Sequence, residues 1–98
     1  MRGQSPNWLL VQLVDEAYFD LPVTVAGFCH LIAGGLLSHW AQFMYGTSGK
    51  VQLIANSSSV VDTNTDLKFC IYDNGSNVRI HNRTGNTYNV RMLLGYTP

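Results

Sequence analysis

Charged side chains are what this sequence has least of. Asp, Glu, Lys and Arg make up 12% of its 98 residues, against about 25% in an ordinary soluble domain. Six basic and six acidic residues cancel, and no cluster of Lys or Arg is present, which argues against nucleic acid as a partner. Because soluble monomers usually keep charged surfaces, the deficit predicts that a partner covers part of this surface.

Cysteine is also sparse, and the two present, Cys29 and Cys70, each lie in an apolar run. A lone pair excludes a disulfide framework, so two buried free thiols are expected, with a single disulfide as the alternative. The N-terminal residues lack the apolar stretch of a signal peptide. We expect one domain spanning residues 1–98, with residues 1–6 as a flexible lead-in.

One apolar segment calls for comparison with a membrane-spanning helix. This segment, Leu21 to Leu37, is uncharged if His30 is neutral, but it falls short of the roughly 20 residues required and contains Pro22 and three glycines. A strand from Val23 to Ile32, buried on both faces, explains its composition better than membrane insertion does.

Helical periodicity is missing as well. The best helical candidate is Leu36 to Met44, but its alternation of two favours a strand, with a short helix as the alternative. Period-two alternation predicts the remaining strands, which are Trp8–Val14, Val23–Ile32, Lys50–Ala55, Val60–Val61, Leu67–Asp73, one through Val78 and Ile80, and one from Tyr88 through Leu94.

Turn residues separate these segments every 8–12 residues or so. Asn74-Gly75 tolerates the positive φ of a tight hairpin, and residues 83–86 (Arg-Thr-Gly-Asn) form the next turn. About eight short strands at this spacing predict an all-β fold, a small antiparallel β-sandwich resembling a jelly roll.

Strand alternation also predicts which side chains face the core. We expect Leu67, Phe69 and Ile71 to point inward, with Val78, Ile80, Tyr88, Val90, Met92 and Leu94. Lys68, Cys70, Tyr72, Arg79, His81 and Arg91 are expected on the outward face.

Two segments imitate ligand-binding loops without completing them. The stretch Gly46 to Lys50 fails the phosphate-loop pattern at both ends and predicts a hairpin turn. Asp62, Asn64, Asp66 and Asp73 follow a calcium-loop register, but Leu67 stands where that loop requires glycine. No metal and no cofactor are therefore expected.

Catalytic groups are equally hard to assemble. Cys29 and His30 are adjacent and would face opposite sides of a strand, so they cannot form a dyad. Asp15, Glu16 and Asp20 lie in one predicted loop that could hold a general acid, but they are better read as a solvated turn. We expect no enzyme.

Aromatic residues at outward positions or strand ends remain as candidate ligand contacts. These are Trp40, Tyr45, Tyr72 and Tyr96. Their rings, with Asn and Ser nearby, suit sugar stacking or a protein interface. The alternative is that they cover a subunit seam or the edge of the core.

The C-terminal half, Lys50 to Tyr96, contains the strand Ile71-Tyr72-Asp73-Asn74-Gly75, then Val78 and Ile80 before Asn82-Arg83 and Gly85. This pattern resembles the distal domains of bacteriophage tail fibres and other receptor-binding proteins. The resemblance implies a non-enzymatic virion protein that forms a homotrimer at a fibre tip. Such a tip would be joined to the rest of the fibre and would bind a polysaccharide or protein of the host surface. It implies a structural role for Arg83.

Three other functions fit the same residues. One is a monomeric carbohydrate-binding module of a bacterial protein, and another is a head-fibre or capsid-decorating protein. The third is a small hydrolase that would use the acidic loop around Asp15.

Overall fold

The computed structural model contains nine strands that carry the alternating pattern. It describes the backbone of residues 7–21, 26–35, 38–46 and 50–96. Within these ranges it describes the side chains from residue 9 to residue 95. The strands are β1 (Asn7–Leu13), β2 (Tyr18–Asp20), β3 (Gly27–Ala33), β4 (His39–Tyr45), β5 (Val51–Asn56), β6 (Val60–Val61), β7 (Phe69–Asp73), β8 (Val78–Asn82) and β9 (Tyr88–Tyr96). Within the described ranges there is no helix, and so none long and apolar enough to cross a membrane.

The strands form two sheets. A five-stranded sheet has the order β1-β9-β3-β4-β5, and a four-stranded sheet has the order β2-β8-β7-β6. Every pair is antiparallel except β6 with β7, which run parallel. The predicted all-β sandwich is confirmed. The ninth strand beyond the predicted eight or so is β2, whose three residues end at Asp20 in the segment that the sequence predicts as an acidic loop.

One face of each sheet is buried in a shared core. Phe43, Leu31 and Met92 from the larger sheet and Phe69 and Ile80 from the smaller are fully buried. Burying each such side chain contributes about 1.5–3 kcal/mol, so this core is the main stabilising feature of so small a chain.

The segment from Leu36 to Met44 contains β4, which confirms the strand and rejects the short helix for the residues described. Its alternation is clear, because Ala41 and Phe43 are buried while Gln42 and Met44 are exposed.

Strand β3 is buried on one face only, so the prediction of a doubly buried strand is wrong for a single chain. Cys29, Leu31 and Ala33 lie in the core, but Phe28 on the other face is 51% exposed. Residues 23–25, the start of the predicted strand, lie outside the described residues.

The outer surface of the five-stranded sheet, which we call the open face, carries large apolar side chains interspersed with Gln12, His30, Gln42, Gln52, Asn89 and Arg91. Pairing registers place Leu10, Ile32 and Trp40 in one row with Arg91, and Phe28 opposite Met44 in another. Leu10 and Met44 are exposed, at 74% and 54%, while Ile32 and Trp40 are half-buried. A single chain therefore leaves much of this face in water.

One predicted side-chain direction fails next to β7, and a second residue points as predicted but is buried. Leu67 is 74% exposed with φ of 67°, because the chain turns there before the strand begins at Phe69. Cys70 does point away from the core, but it is fully buried because residues 62–68 fold over it.

Candidate functional site

A shallow groove of about 470 Å³ lies beside the end of β7. Strand β6 pairs with β7 only through Val60 and Val61, so the described residues place no neighbouring strand along Ile71–Asp73 on that side. The space left there is lined by Lys50, Val51, Asp62, Thr63, Asn64, Tyr72 and Asp73. One aromatic ring, one aliphatic side chain and five polar residues line it, so this groove is more polar and more open than the enclosed, mostly apolar pockets that bind most small molecules.

The loop that forms one wall, residues 62–66, is fixed on β7 by a buried thiol. Cys70 Sγ donates to the Thr65 carbonyl oxygen at 3.2 Å, and the Thr65 amide lies 3.4 Å from the same sulfur. Burial raises the pKa of the Cys70 thiol, so the sulfur remains protonated and able to donate.

Arg83 holds the same loop from the other side. Its Nη1 donates to Asn64 Oδ1 at 3.1 Å, its Nη2 lies 3.6 Å from Asp66 Oδ1, and its Nε donates to Glu16 Oε1 at 3.1 Å. The planar guanidinium thus joins the turn that contains Arg83 to the loop at Glu16 and to the loop of residues 62–66. These contacts within one chain support the structural role expected for Arg83.

Tyr72 is held by a hydrogen-bonded histidine. The Tyr72 hydroxyl lies 2.8 Å from His81 Nδ1, and His81 Nε2 lies 3.1 Å from the Glu16 carbonyl oxygen. Because a carbonyl oxygen can only accept, His81 Nε2 donates to Glu16. The phenol is therefore oriented within its own chain.

A charged pair supports the same outer surface of the four-stranded sheet. Arg79 donates to both oxygens of Asp20, at 2.8 and 3.2 Å, and its guanidinium carbon lies 3.7 Å from the centre of the Tyr18 ring. The hydrogen bond that Arg79 donates to the Asp20 carboxylate raises the pKa of Arg79. The bidentate pair and the ring fix β2 on β8.

The predicted contact residues are not brought together. Tyr72 lines the groove, whereas Trp40 is half-buried on the open face of the other sheet. Tyr45 is 3% exposed, so its predicted exposure is wrong: it alternates with Met44 on β4 and its ring lies 6.3 Å from that of Phe43 in the core. The side chain of Tyr96 lies outside the described residues.

Most of the groove lining was missed as a ligand site. Asp62, Asn64 and Asp73 were weighed only as calcium ligands, and Lys50 and Thr63 only as parts of turns. The available signal was a polar loop directly after a two-residue strand, since so short a strand leaves its neighbour's edge open. In the described parts of the chain, no group of three or more His, Cys, Asp or Glu side chains could hold a metal ion.

The acidic residues considered for catalysis make structural contacts. Asp15 Oδ1 accepts from the Gly85 amide at 2.9 Å, and Glu16 bonds to Arg83. Asp20 lies on β2 rather than in a loop, which corrects the prediction, and both of its oxygens bond to Arg79.

A serine and a histidine do meet elsewhere, with Ser59 Oγ 2.6 Å from His39 Nδ1. The imidazole otherwise contacts the rings of Phe69 and Tyr88. Nowhere in the described ranges does an acidic side chain hydrogen-bond to His39, so the orienting third group of a catalytic triad is missing there.

The two cysteines are free and buried, as predicted. Burial raises the pKa of the Cys29 thiol to about 12, so it is protonated at neutral pH and a poor nucleophile.

Partial burial lowers the pKa of His39, because desolvation disfavours its charged form. Because the pKa of His39 is lower in the folded chain than in the unfolded chain, protonation of this histidine favours unfolding. Its contribution to stability is therefore complete above the unfolded pKa of 6.5 and is lost as the pH falls below this value. We expect the free energy of unfolding to fall less between pH 7 and pH 5 in His39→Phe than in the wild type. Urea denaturation at both values measures this, and equal falls in the two proteins would contradict it.

Comparison with known proteins supplies no relative: no family model, no curated protein and no solved structure matches this chain. The implied kinship with phage fibre domains stays a prediction, and the geometry above carries the functional assignment.

Proposed function

We propose that this chain is a non-enzymatic receptor-binding domain that works as a homo-oligomer, the tip domain of a phage fibre or of a similar virion appendage. In this assembly the open face of the five-stranded sheet packs against other copies. The groove beside β7 and the loops around it remain available to a receptor on the host surface.

The open face is the observation that carries the proposal. Leu10, Phe28 and Met44 are each more than half exposed, and Ile54, the extra residue at a bulge in β5, is 60% exposed. Strand alternation gives this face a single fully charged side chain among the described residues, Arg91. Interface cores are depleted of charge and enriched in aromatic residues and Met in the same way, whereas monomers avoid large apolar patches.

A trimer is the form that the resemblance to fibre tips favours. Three copies related by a threefold axis close without leaving an unpaired surface that could add further chains. The low overall charge fits this arrangement, because part of the surface never meets water.

The non-enzymatic part of the proposal has independent support. Asp15, Glu16 and Asp20, the acidic residues nearest to a catalytic cluster, are all bonded to groups of the same chain. A rigid sandwich that positions loops is well suited to recognition.

Two leucines of equal exposure allow a matched test. Leu10 lies on the open face and Leu67 in a loop before β7, and both are 74% exposed. Leu10→Lys would bury an unpaired ammonium in the interface, so we expect the oligomer to dissociate at a concentration at least about tenfold higher than the wild type.

Leu67→Lys should dissociate as the wild type does. Sedimentation equilibrium over a dilution series makes the measurement, and circular dichroism checks that both variants keep their strands. Equal dissociation of the two variants would place the interface elsewhere.

A monomeric carbohydrate-binding module is the second candidate, favoured by the aromatic ring and carboxylates of the groove. It predicts a single chain in solution with an intact groove.

A further inference from the structure

We infer that the groove beside β7 binds a neutral saccharide, with a sugar ring stacked on Tyr72 and its hydroxyls bonded to Asp62 and Asp73. The inference rests on the proposed function as a receptor-binding domain and adds the site and the chemical class of the receptor.

The ring of Tyr72 offers a fixed apolar surface. Its hydroxyl is bonded to His81 at 2.8 Å, which fixes the orientation of this groove-lining side chain. A flat ring that is already oriented loses little conformational entropy when a ligand packs on it. The C–H face of a sugar ring is a matching apolar surface, and its edges carry the hydroxyls.

The polar lining matches those hydroxyls. Carboxylates only accept, and a sugar hydroxyl can donate to them in a strong charge-assisted bond. The Asp73 carboxylate is oriented by the Gly75 amide, which donates to Oδ1 at 2.7 Å. The carbonyl oxygen of the Asn64 side chain is taken by Arg83, so its amide nitrogen is the group left to donate to a ligand.

Charge selects the class of sugar. Two carboxylates, Asp62 and Asp73, face one ammonium, Lys50, around a groove of about 470 Å³. The net negative charge repels the carboxylates of uronic and sialic acids, whereas neutral hexoses and N-acetylhexosamines meet no such penalty.

An added peptide strand fits the same place less well. The open edge of β7 extends only over Ile71–Asp73, which leaves room for few of the main-chain hydrogen bonds that bind an extended peptide.

The test uses the full-length chain in its native assembly on an array of neutral oligosaccharides, each paired with a uronate- or sialic-acid-containing counterpart. We expect binding to neutral members and weaker binding to their acidic counterparts. The best neutral oligosaccharide then serves as the probe in calorimetric titrations of the variants.

Tyr72→Ala should weaken binding of that probe at least about tenfold, whereas Tyr72→Phe, which keeps the ring, should stay within about threefold. Asp62→Asn removes one charged acceptor and should weaken binding about fivefold or more. Asp15→Asn is its matched control, because Asp15 is exposed like Asp62 but does not line the groove and bonds to the Gly85 amide instead, and it should bind as the wild type does.

Four results would overturn the inference: no binding of any neutral oligosaccharide, stronger binding of the acidic counterparts, binding unchanged in Tyr72→Ala, or competition by an extended peptide at the same site. The mass of the chain in solution is an independent readout. If Tyr72→Ala is still an oligomer and still binds the oligosaccharide, the inference about the groove is wrong but the proposed function is not contradicted. If the wild-type chain is a monomer, the proposed assembly is contradicted, whatever the groove binds.

Discussion

Replacing Asn82 by alanine is expected to lower the free energy of unfolding by about 3–5 kcal/mol, the largest effect of any substitution considered for this chain. Asn82 is the one fully buried polar residue in the described part of the chain, at 0% exposure. Its side chain ties together three separate segments.

The hydrogen bonds of Asn82 explain the size of the loss. Its Nδ2 donates to the carbonyl oxygens of Leu13, at 2.9 Å, and Asn86, at 2.6 Å. Its Oδ1 accepts from the amide of Thr84 at 3.1 Å and from the Thr84 hydroxyl at 2.7 Å. Alanine would leave these groups unsatisfied, at about 1–3 kcal/mol for each one that stays buried.

Urea denaturation of Asn82→Ala and the wild type measures the effect. Asn89→Ala is the matched control, because Asn89 is exposed and makes only one long side-chain contact, 3.4 Å from Gln12 Nε2. We expect the control to change stability by less than about 0.5 kcal/mol. A loss below about 1 kcal/mol in Asn82→Ala would show that this network does not hold the turns in place.

The second large effect is expected at Gly34, where alanine should cost about 2–4 kcal/mol. Gly34 has φ of 83°, a conformation that a residue with a Cβ adopts only with strain. An added Cβ would also lie 2.8 Å from Cδ1 of Tyr88, whose ring is confined by an edge contact with His39, with 4.7 Å between the centres.

The next residue supplies the control. Gly35 has no atom within 4 Å of where a Cβ would be, and its φ is not positive. Gly35→Ala should therefore leave the midpoint of thermal unfolding nearly unchanged, while Gly34→Ala should lower it by roughly 10 °C or more for a domain of this size. Equal midpoints for the two variants would mean that the turn relaxes freely around a side chain.

Period-two alternation was sufficient to predict the class of fold and most strands. It works where a strand has one buried and one open face, as β8 does with Val78 and Ile80 inside and Arg79 outside. It fails where the chain leaves the sheet, because Leu67 belongs to a turn although it continues the alternation of Phe69 and Ile71.

Whether a side chain is buried also depends on tertiary contacts, which the alternation along a single strand does not reveal. Cys70 lies on the outer surface of its sheet, yet a loop covers it. Whether Tyr45 faces the core depends on the register of β4, which places it beside Phe43.

The polar loop after the short strand β6 indicates an open strand edge, but the full lining of the groove could not be predicted from the sequence for the same reason. Its lining combines the start of β5, the loop after β6 and the end of β7, and only the folded chain brings Lys50, Asp62 and Tyr72 to one place. The low charge of the sequence predicts that a partner covers part of the surface, and the open face is where we propose that contact.

The mass of the wild-type chain in solution tests the central claim most directly. If the open face of the five-stranded sheet is an interface between copies, sedimentation equilibrium at micromolar concentration should give three times the 10.9 kDa of one chain. A mass of 10.9 kDa that persists as the protein is concentrated would contradict the assembly.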